Sequence, residues 1–336
     1  MQQTTKLFFW LFLAIFLSAC DASREQTTSL PTRAATAVSP LAALPATPAA
    51  TATAIANTAT PTVTNTPTPT ETATPTSTPT ATPTATAVPF GTITTIGYSA
   101  GGRPIENYQF GNGSTLIILI GGIHGGYEWN STLLIYELID YLFANPDIVP
   151  PSITLHIIPA ANPDGLFRVT GVNGRFTVDD VALDIFPGRF NDNGVDLNRN
   201  WDCNWQPEGT WRDQPVDAGD YPFSEPENVA LRDFIVPRNP AVTIFYHSAF
   251  NAVFAAGCPN VGPRTRELAD VYATAANYPI YEQFTSYEIT GDSGDWLTTQ
   301  NIPSITVELS THSSLDWTRN LNGLLAVLDY YGNLQP

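Results

Sequence analysis

From about Thr27 to Pro89 the chain is built of Thr, Ala and Pro, with recurring Thr-Pro steps and almost nothing apolar to bury. No core can form there. Proline fixes φ and removes a donor while threonine stays solvated, so the tract reads as an extended, polyproline-like stalk, open to O-glycosylation, or as a disordered spacer. Folding is thereby confined to residues 90–336. That length suits one domain with one large core.

Ahead of the tract, Lys6 is followed by an apolar run from Leu7 to Leu17, too short to anchor in a bilayer but of the length of a signal-peptide core. The run ends in Leu17-Ser18-Ala19-Cys20. This string resembles the bacterial lipobox, in which small residues precede a cysteine that is diacylated and becomes the new N-terminus. The expectation is an exported chain, held by a lipid on Cys20 to the outer face of the cell membrane or to the cell surface. The alternative is an ordinary signal peptide with Cys20 an incidental thiol. No separate inhibitory segment is expected between the leader and the domain, so the exported chain should be active as it stands.

Lys6 is the only lysine and leaves with the leader, so 13 arginines face 31 acids in the mature chain. A chain this acidic does not bind nucleic acid, and each arginine becomes a candidate for recognising a carboxylate. The expected assembly is a monomer. Cys203 and Cys258 are the other two cysteines, and export leaves open whether they pair.

Within the domain, apolar runs of strand length alternate with segments of helical period, the pattern of a three-layer α/β/α sandwich around a mixed, mostly parallel sheet. The clearest strands are Thr115 to Gly121, Ile153 to Pro159, Val242 to Tyr246 and Ser304 to Leu309. Helical period marks Ser131 to Phe143, Pro226 to Ile235, Arg264 to Ala276 and Leu321 to Tyr331, with a capping box expected from Ser224 to Glu227 around Pro226. His124 follows the first strand, Asn162 to Gly165 the second and His247 the third, while Glu308 falls near the end of the fourth. Ligands of open α/β sheets bind outside the carboxyl ends of strands, so four polar clusters far apart in sequence converge on one sheet edge.

A catalytic zinc takes three protein ligands and keeps one position for water, and the chain has four histidines. His124 and His247 stand at strand ends. His156 alternates with apolar neighbours inside a strand and reads as a buried, hydrogen-bonded core residue; His312 is either a supporting partner or a loop residue. No His-Glu-x-x-His string occurs.

From about Gly97 to Trp317 the chain resembles the carboxypeptidase A-like metallocarboxypeptidases. The resemblance is carried by Gly122-Ile123-His124-Gly125-Gly126-Tyr127-Glu128-Trp129, Asn162-Pro163-Asp164-Gly165, Tyr246-His247-Ser248, Thr306-Val307-Glu308-Leu309 and Tyr287 to Trp296. Its most specific string is Gly194-Val195-Asp196-Leu197-Asn198-Arg199-Asn200-Trp201. The resemblance implies one zinc ion per chain held by His124, Glu128 and His247, with Glu308 as general base. It implies Arg189 as the residue that stabilises the oxyanion, with Arg175 as alternate. It also implies Asn198 and Arg199 as the grip on a peptide's terminal carboxylate and Tyr287 as the cap over its terminal residue. The expected activity is a zinc carboxypeptidase acting on peptides or proteins outside the cell, with cell-wall stem peptides as the alternative substrate.

Two departures stand out. Glu128 lies four residues after His124 where the family places its glutamate three after, and Tyr127 stands where a family arginine often precedes that glutamate. Gly294 occupies the place where relatives put a side chain that selects the terminal residue, which leads to an expected broad or large-residue preference. Gly291-Asp292-Ser293-Gly294 resembles the nucleophile segment of trypsin-like serine proteases, but no matching histidine segment precedes it and the elements are not all β. A third reading is a non-catalytic surface module that binds glycan or cell wall.

Overall fold

Alternation along each central strand decides the architecture, because successive side chains leave a strand on opposite faces and here both faces are apolar. The computed structural model describes residues 91–334; the leader, Cys20 and the Thr/Pro/Ala tract lie outside the described residues. Ten strands are described: β1 Thr92–Tyr98, β2 Pro104–Phe110, β3 Thr115–Ile120, β4 Ile153–Ile158, β5 Glu208–Trp211, β6 Gln214–Asp217, β7 Val242–Ser248, β8 Ala252–Ala255, β9 Ile280–Tyr281 and β10 Ser304–Leu309. Eight form one sheet in the order β1-β2-β4-β3-β7-β10-β8-β9, and β5-β6 is a separate hairpin. The centre, β4-β3-β7-β10, is parallel throughout, while β1, β2 and β8 add antiparallel pairings towards the edges.

Six helices cover the sheet: α1 Trp129–Ala144, α2 Pro163–Thr170, α3 Pro226–Ile235, α4 Pro263–Ala276, α5 Ser293–Thr299 and α6 Trp317–Asn333. Ile117, Leu119, Ile157 and Val307 pack with Leu138 of α1, Leu268 of α4 and Leu328 of α6. Their neighbours in sequence, Ile118, Ile120 and Ile158, pack on the other side with Leu231 of α3 and Leu297 of α5. This is the three-layer α/β/α sandwich. Each such side chain taken out of water contributes about 1.5–3 kcal/mol, which makes the central strands a stiff platform.

Helix ends follow local chemistry in one case and not in another. At α2, the Asn162 side chain accepts from the Gly165 N–H at 2.8 Å, Pro163 takes the first turn and Gly171 closes the helix in the left-handed region. At α3, Pro226 sits in the first turn as expected, but the capping box does not form. Glu227 instead turns into the interior, accepting from the Ala100 N–H at 2.9 Å and the Asn191 Nδ2 at 3.2 Å, while Ser224 Oγ donates to Glu225. Burial of Glu227 against two loops overrides the local rule. Strand β7 also runs two residues further than its apolar pattern, so His247 lies within it.

Cys203 and Cys258 form a disulfide with Cα atoms 6.2 Å apart. It ties the segment that follows Arg199 to the loop beyond β8. His156 is buried and its Nδ1 lies 3.1 Å from Asn107 Oδ1, the core role read from its strand position.

Candidate active site

The carboxyl ends of β3, β7 and β10 open into a cleft of about 830 Å³. His124, Glu128 and His247 meet there, all buried, with one ligand atom from each within 4.8 Å of the others. The extra residue before Glu128 is taken up by a single 3-10 turn, Gly125–Glu128, opening on Gly125 at φ +47°. A side chain at Gly125 would meet the Gly165 and Gly188 backbones within 3 Å, so the turn needs glycine for both its conformation and its space. The carboxylate arrives at the end of that turn, at the residue that precedes α1, beside both imidazoles.

The donor set fits zinc on its own chemistry. Two imidazoles and one carboxylate are a catalytic zinc combination; His247 Nδ1 lies 3.2 Å from Glu128 Oε2, and His247 Nε2 is a buried atom without a hydrogen bond among the described residues. Burial disfavours a charge on Glu128, but His124 and His247 beside it hold its pKa down at about 2. Burial, with the Arg189 charge, lowers His124 to about 4, the neutral form a metal requires. At His247 burial acts the same way but is outweighed by Glu128, with Glu308 and Asp292 beyond, and the pKa is raised.

Asp196 organises this end of the site, a role the sequence reading did not assign. Its carboxylate lies 3.3 Å from His124 Nδ1, accepts from Arg189 Nε at 2.9 Å and receives the Asn198 N–H at 3.1 Å. Burial opposes its charge, yet Arg189 and His124 keep its pKa well below the usual range. Arg189 Nη2 stands 3.3 Å from His124 Nε2, whereas Arg175 pairs with Asp140 outside the cleft. The signal was available: Asp196 sits two residues before Asn198 in the most specific string of the chain.

Glu308 and His247 share a register position on adjacent strands, and Glu308 Oε2 is buried without a partner among the described residues. Burial and the charge of Glu128 push Glu308 up to about 7. Ser248 adds support: its N–H donates to Glu128 Oε2 at 3.1 Å and its Oγ to Asn130 Oδ1 at 2.9 Å, with His312 Nδ1 at 3.0 Å. His312 is thus a loop residue tied to the chain segment that carries a ligand.

At one end of the cleft, Asn198 Nδ2 donates to Asp292 Oδ2 at 2.8 Å, and its Oδ1 accepts the Ser293 N–H at 3.0 Å. Ser293 is buried at the start of α5, supporting Asn198, not set as a nucleophile. Arg199 is buried and spends three N–H groups on backbone carbonyls, from Nε and Nη2 to Thr210 and from Nη1 to Asn198. One N–H then remains on each Nη, the pair a carboxylate accepts side by side. Gly291, at φ +66°, lies so close to the Arg199 carbonyl that a Cβ would sit 2.0 Å from its oxygen. Tyr287 also lines the cleft, half-buried, with its ring edge-on to Phe284 at 4.7 Å.

Asp292 and Asp295 line the same end, unassigned by the sequence reading. Asp295 Oδ1 accepts the Gly257 N–H at 2.8 Å, and burial together with Asp292 raises its pKa to about 7. No arginine pairs with either among the described residues.

The profile of the zinc carboxypeptidase family matches residues 84–319. Gamma-D-glutamyl-L-diamino acid endopeptidase 1 of Lysinibacillus sphaericus is 28% identical over 245 residues, which cover 65% of this chain and 60% of that protein. Murein peptide amidase A of Escherichia coli (strain K12) is 29% identical over 207 residues, covering 59% of this chain and 72% of the relative. The chain therefore spans less than two thirds of the first of these relatives. Among solved structures, the murein-tripeptide amidase of Escherichia coli O157 aligns with a TM-score of 0.51 at 24% identity, over 75% of this chain and 95% of that one. A carboxypeptidase A from Helicoverpa armigera aligns at 0.52 and 20%, over 72% and 66%, and both structures share the fold. By its matched profile, its fold and its His₂Glu donor set, the chain belongs to the zinc carboxypeptidase family, a family of zinc-dependent peptidases.

Proposed function

We propose that the domain is a zinc carboxypeptidase acting outside the cell, hydrolysing the peptide bond that precedes a C-terminal residue with a free carboxylate. The observation that carries this is the meeting, in one cleft, of the His124-Glu128-His247 donor set, the unpartnered Oε2 of Glu308 and the two spare N–H groups of Arg199. Zinc held by the three ligands supplies a Lewis acid that polarises the scissile carbonyl and acidifies water. Arg199, with Asn198 behind it, grips the terminal carboxylate and sets the register of the peptide across the site. Glu308 takes the proton from the attacking water and returns it to the leaving amine; a carboxylate pushed up towards neutrality suits both transfers. Arg189, fixed by Asp196, offers positive charge to the oxygen that becomes negative. Tyr287 closes over the terminal residue.

A second reading keeps this chemistry and changes the substrate to cell-wall stem peptides that carry a diamino acid. Asp292 and Asp295, without a cation beside them, favour a positively charged terminal side chain over the broad preference expected from Gly294, and a diamino acid carries such a charge. The names of the relatives, a diamino acid endopeptidase and murein peptide amidases, support the same substrate. The leader ending at Cys20 and the long Thr/Pro/Ala tract support an enzyme tethered by lipid and held off the membrane.

The test is release of terminal amino acids from a mixed pool of ordinary and diamino-acid peptides by the zinc-loaded protein, beside Glu308→Gln and a chelated control. Release that stops in both controls supports the peptidase, and the released residues decide between the substrates. No release from either class by intact, zinc-loaded protein would leave the binding module as the better account. Recovery of Cys20→Ser in the soluble fraction, with the parent in membranes, tests the tether.

A further inference from the structure

The β5-β6 hairpin has no part in the sheet, yet it is built onto the site. Thr210 gives its carbonyl to Arg199, and Gly209 lies flat on the Arg199 stem. Trp211 pairs with Gln214 across a two-residue turn, Arg212-Asp213, in which Arg212 adopts φ +58°. The turn brings Trp211 and Arg212 to the cleft. The Trp211 ring meets Tyr127 edge-on at 5.3 Å, the Arg212 guanidinium lies 4.8 Å over the Trp211 ring, and Arg212 Nη2 donates to Tyr127 Oη at 3.3 Å. Tyr127 directly precedes the ligand Glu128 and faces His312 at 4.8 Å.

Among the described residues no carboxylate pairs with Arg212. Arg189 shares the same Trp211 ring at 4.8 Å, but Asp196 holds its charge. Arg212 is therefore an exposed cation resting on Trp211 and Tyr127, near His312, without an ion-pair partner among the described residues. A guanidinium stacked on an indole loses little freedom on binding and presents donors to a planar anion.

We propose that Arg212, stacked on Trp211 and tied to Tyr127 beside the metal ligand Glu128, binds a carboxylate borne by the residue upstream of the scissile bond. The inference rests on the peptidase reading above. It gives the cleft two preferences: acids for the terminal side chain, and a cation for the residue before it. It also gives a use to Tyr127, which orients Arg212 through its hydroxyl.

The experiment uses the full-length, zinc-loaded chain carrying Glu308→Gln, so that binding is measured by calorimetry without turnover. The probes are peptide pairs in which the residue before the last is glutamate, with its free carboxylate present or converted to the amide, in α-linked and γ-linked forms. The carboxylate form of at least one linkage is expected to bind about tenfold tighter or more, the span of a charge-assisted hydrogen bond. Adding Arg212→Met should bring that ratio to about one, and Arg212→Lys should keep part of it. A ratio unchanged in Arg212→Met overturns the proposal, as does equal or unmeasurable binding of both forms in both linkages. Failure of the peptidase reading would appear separately, as intact binding selectivity with no turnover of any probe by the protein that retains Glu308.

Discussion

Glu308 on β10 stands beside His247 on β7 in a parallel register, one hydrogen-bonded pair from the ends of both strands. Paired positions on neighbouring strands project from the same face, so the sheet itself delivers the proposed base and one metal ligand together. Ser248, next along β7, then bonds to Glu128 and His312, which links the third ligand and the loop after β10 to the same two strands. Strand register thus sets the proposed base and one ligand, while His124 and Glu128 arrive on the turn that follows β3.

If Glu308 moves the proton, Glu308→Gln keeps shape and metal ligands while removing the base. The expected outcome is a fall in kcat of about 10³-fold with zinc content and KM little changed. A chelator should abolish activity and added zinc restore it. Turnover by Glu308→Gln near the parent's rate, in metal-verified protein, would exclude the role.

Asp196 lies 3.3 Å from His124 Nδ1 while it pairs with Arg189, so Asp196→Asn should weaken zinc affinity about 10–100-fold, measured by competition with a chelating dye. The buried Arg189 would also lose its counter-charge, and stability should fall with it. Unaltered zinc affinity would make Asp196 a partner of Arg189 alone.

Much of this was legible in the sequence because strands, being apolar on both faces, announce themselves, and because polar residues at their ends have one place to go. His124, His247 and Glu308 were found that way, and the resemblance added Glu128, Arg189, Asn198, Arg199 and Tyr287. What stayed hidden depends on contacts between distant segments. Asp196, Asp292 and Asp295 look like surface acids until β3, α5 and the loop beyond β8 are brought together. The Ser224-Glu227 box failed for the converse reason: a local pattern was overruled by Ala100 and Asn191, both more than thirty residues earlier in the chain. Arg212 carried no signal beyond being one of 13 arginines in a chain poor in cations, since a hairpin outside the sheet leaves no periodicity.

Burial raises Glu227 to about 7 from an ordinary value of 4.5. A carboxyl raised on folding binds its proton more tightly in the folded state, so its contribution is fully present below pH 4.5 and is lost as pH rises through 7. The difference corresponds to about 3 kcal/mol at most. Between pH 5 and 8, urea unfolding should show the parent losing about 2–3 kcal/mol more than Glu227→Gln. Parallel pH profiles would show that Glu227 does not titrate between those limits.

Asp295→Asn removes one of two acids that line the cleft near Asn198, where the terminal side chain is proposed to lie. For peptides ending in Lys, Arg or a diamino acid, kcat/KM should fall about tenfold or more, while peptides ending in Leu or Phe change little. Because Asp295 is raised to about 7 by burial and Asp292, it gains its charge as pH rises, and the parent's preference for a cationic terminus should sharpen from pH 6 to 8. An unaltered preference in Asp295→Asn would leave selection to Asp292 or to the apolar walls.

The seat of Arg199 gives the last test. A Cβ at Gly209 would lie 2.9 Å from both Cγ and Cδ of Arg199, a distance that forces one of them to move. Arg199 is buried, and its Nε and Nη2 both depend on the Thr210 carbonyl next door, so the guanidinium would turn away from the terminal carboxylate. Gly209→Val should therefore raise KM for peptides with a free C-terminus about tenfold or more, with a smaller effect on kcat and none on zinc content. Peptides with an amidated C-terminus, which never use that grip, should be handled as by the parent. An equal loss on both peptide types would mean that the substitution disturbs the whole cleft, not the anchor, and a thermal midpoint close to the parent's would separate that from simple unfolding. The point of the comparison is that the atoms nearest to a Cβ at Gly209 all belong to Arg199, so a KM effect confined to free carboxylates would reach the reaction through Arg199.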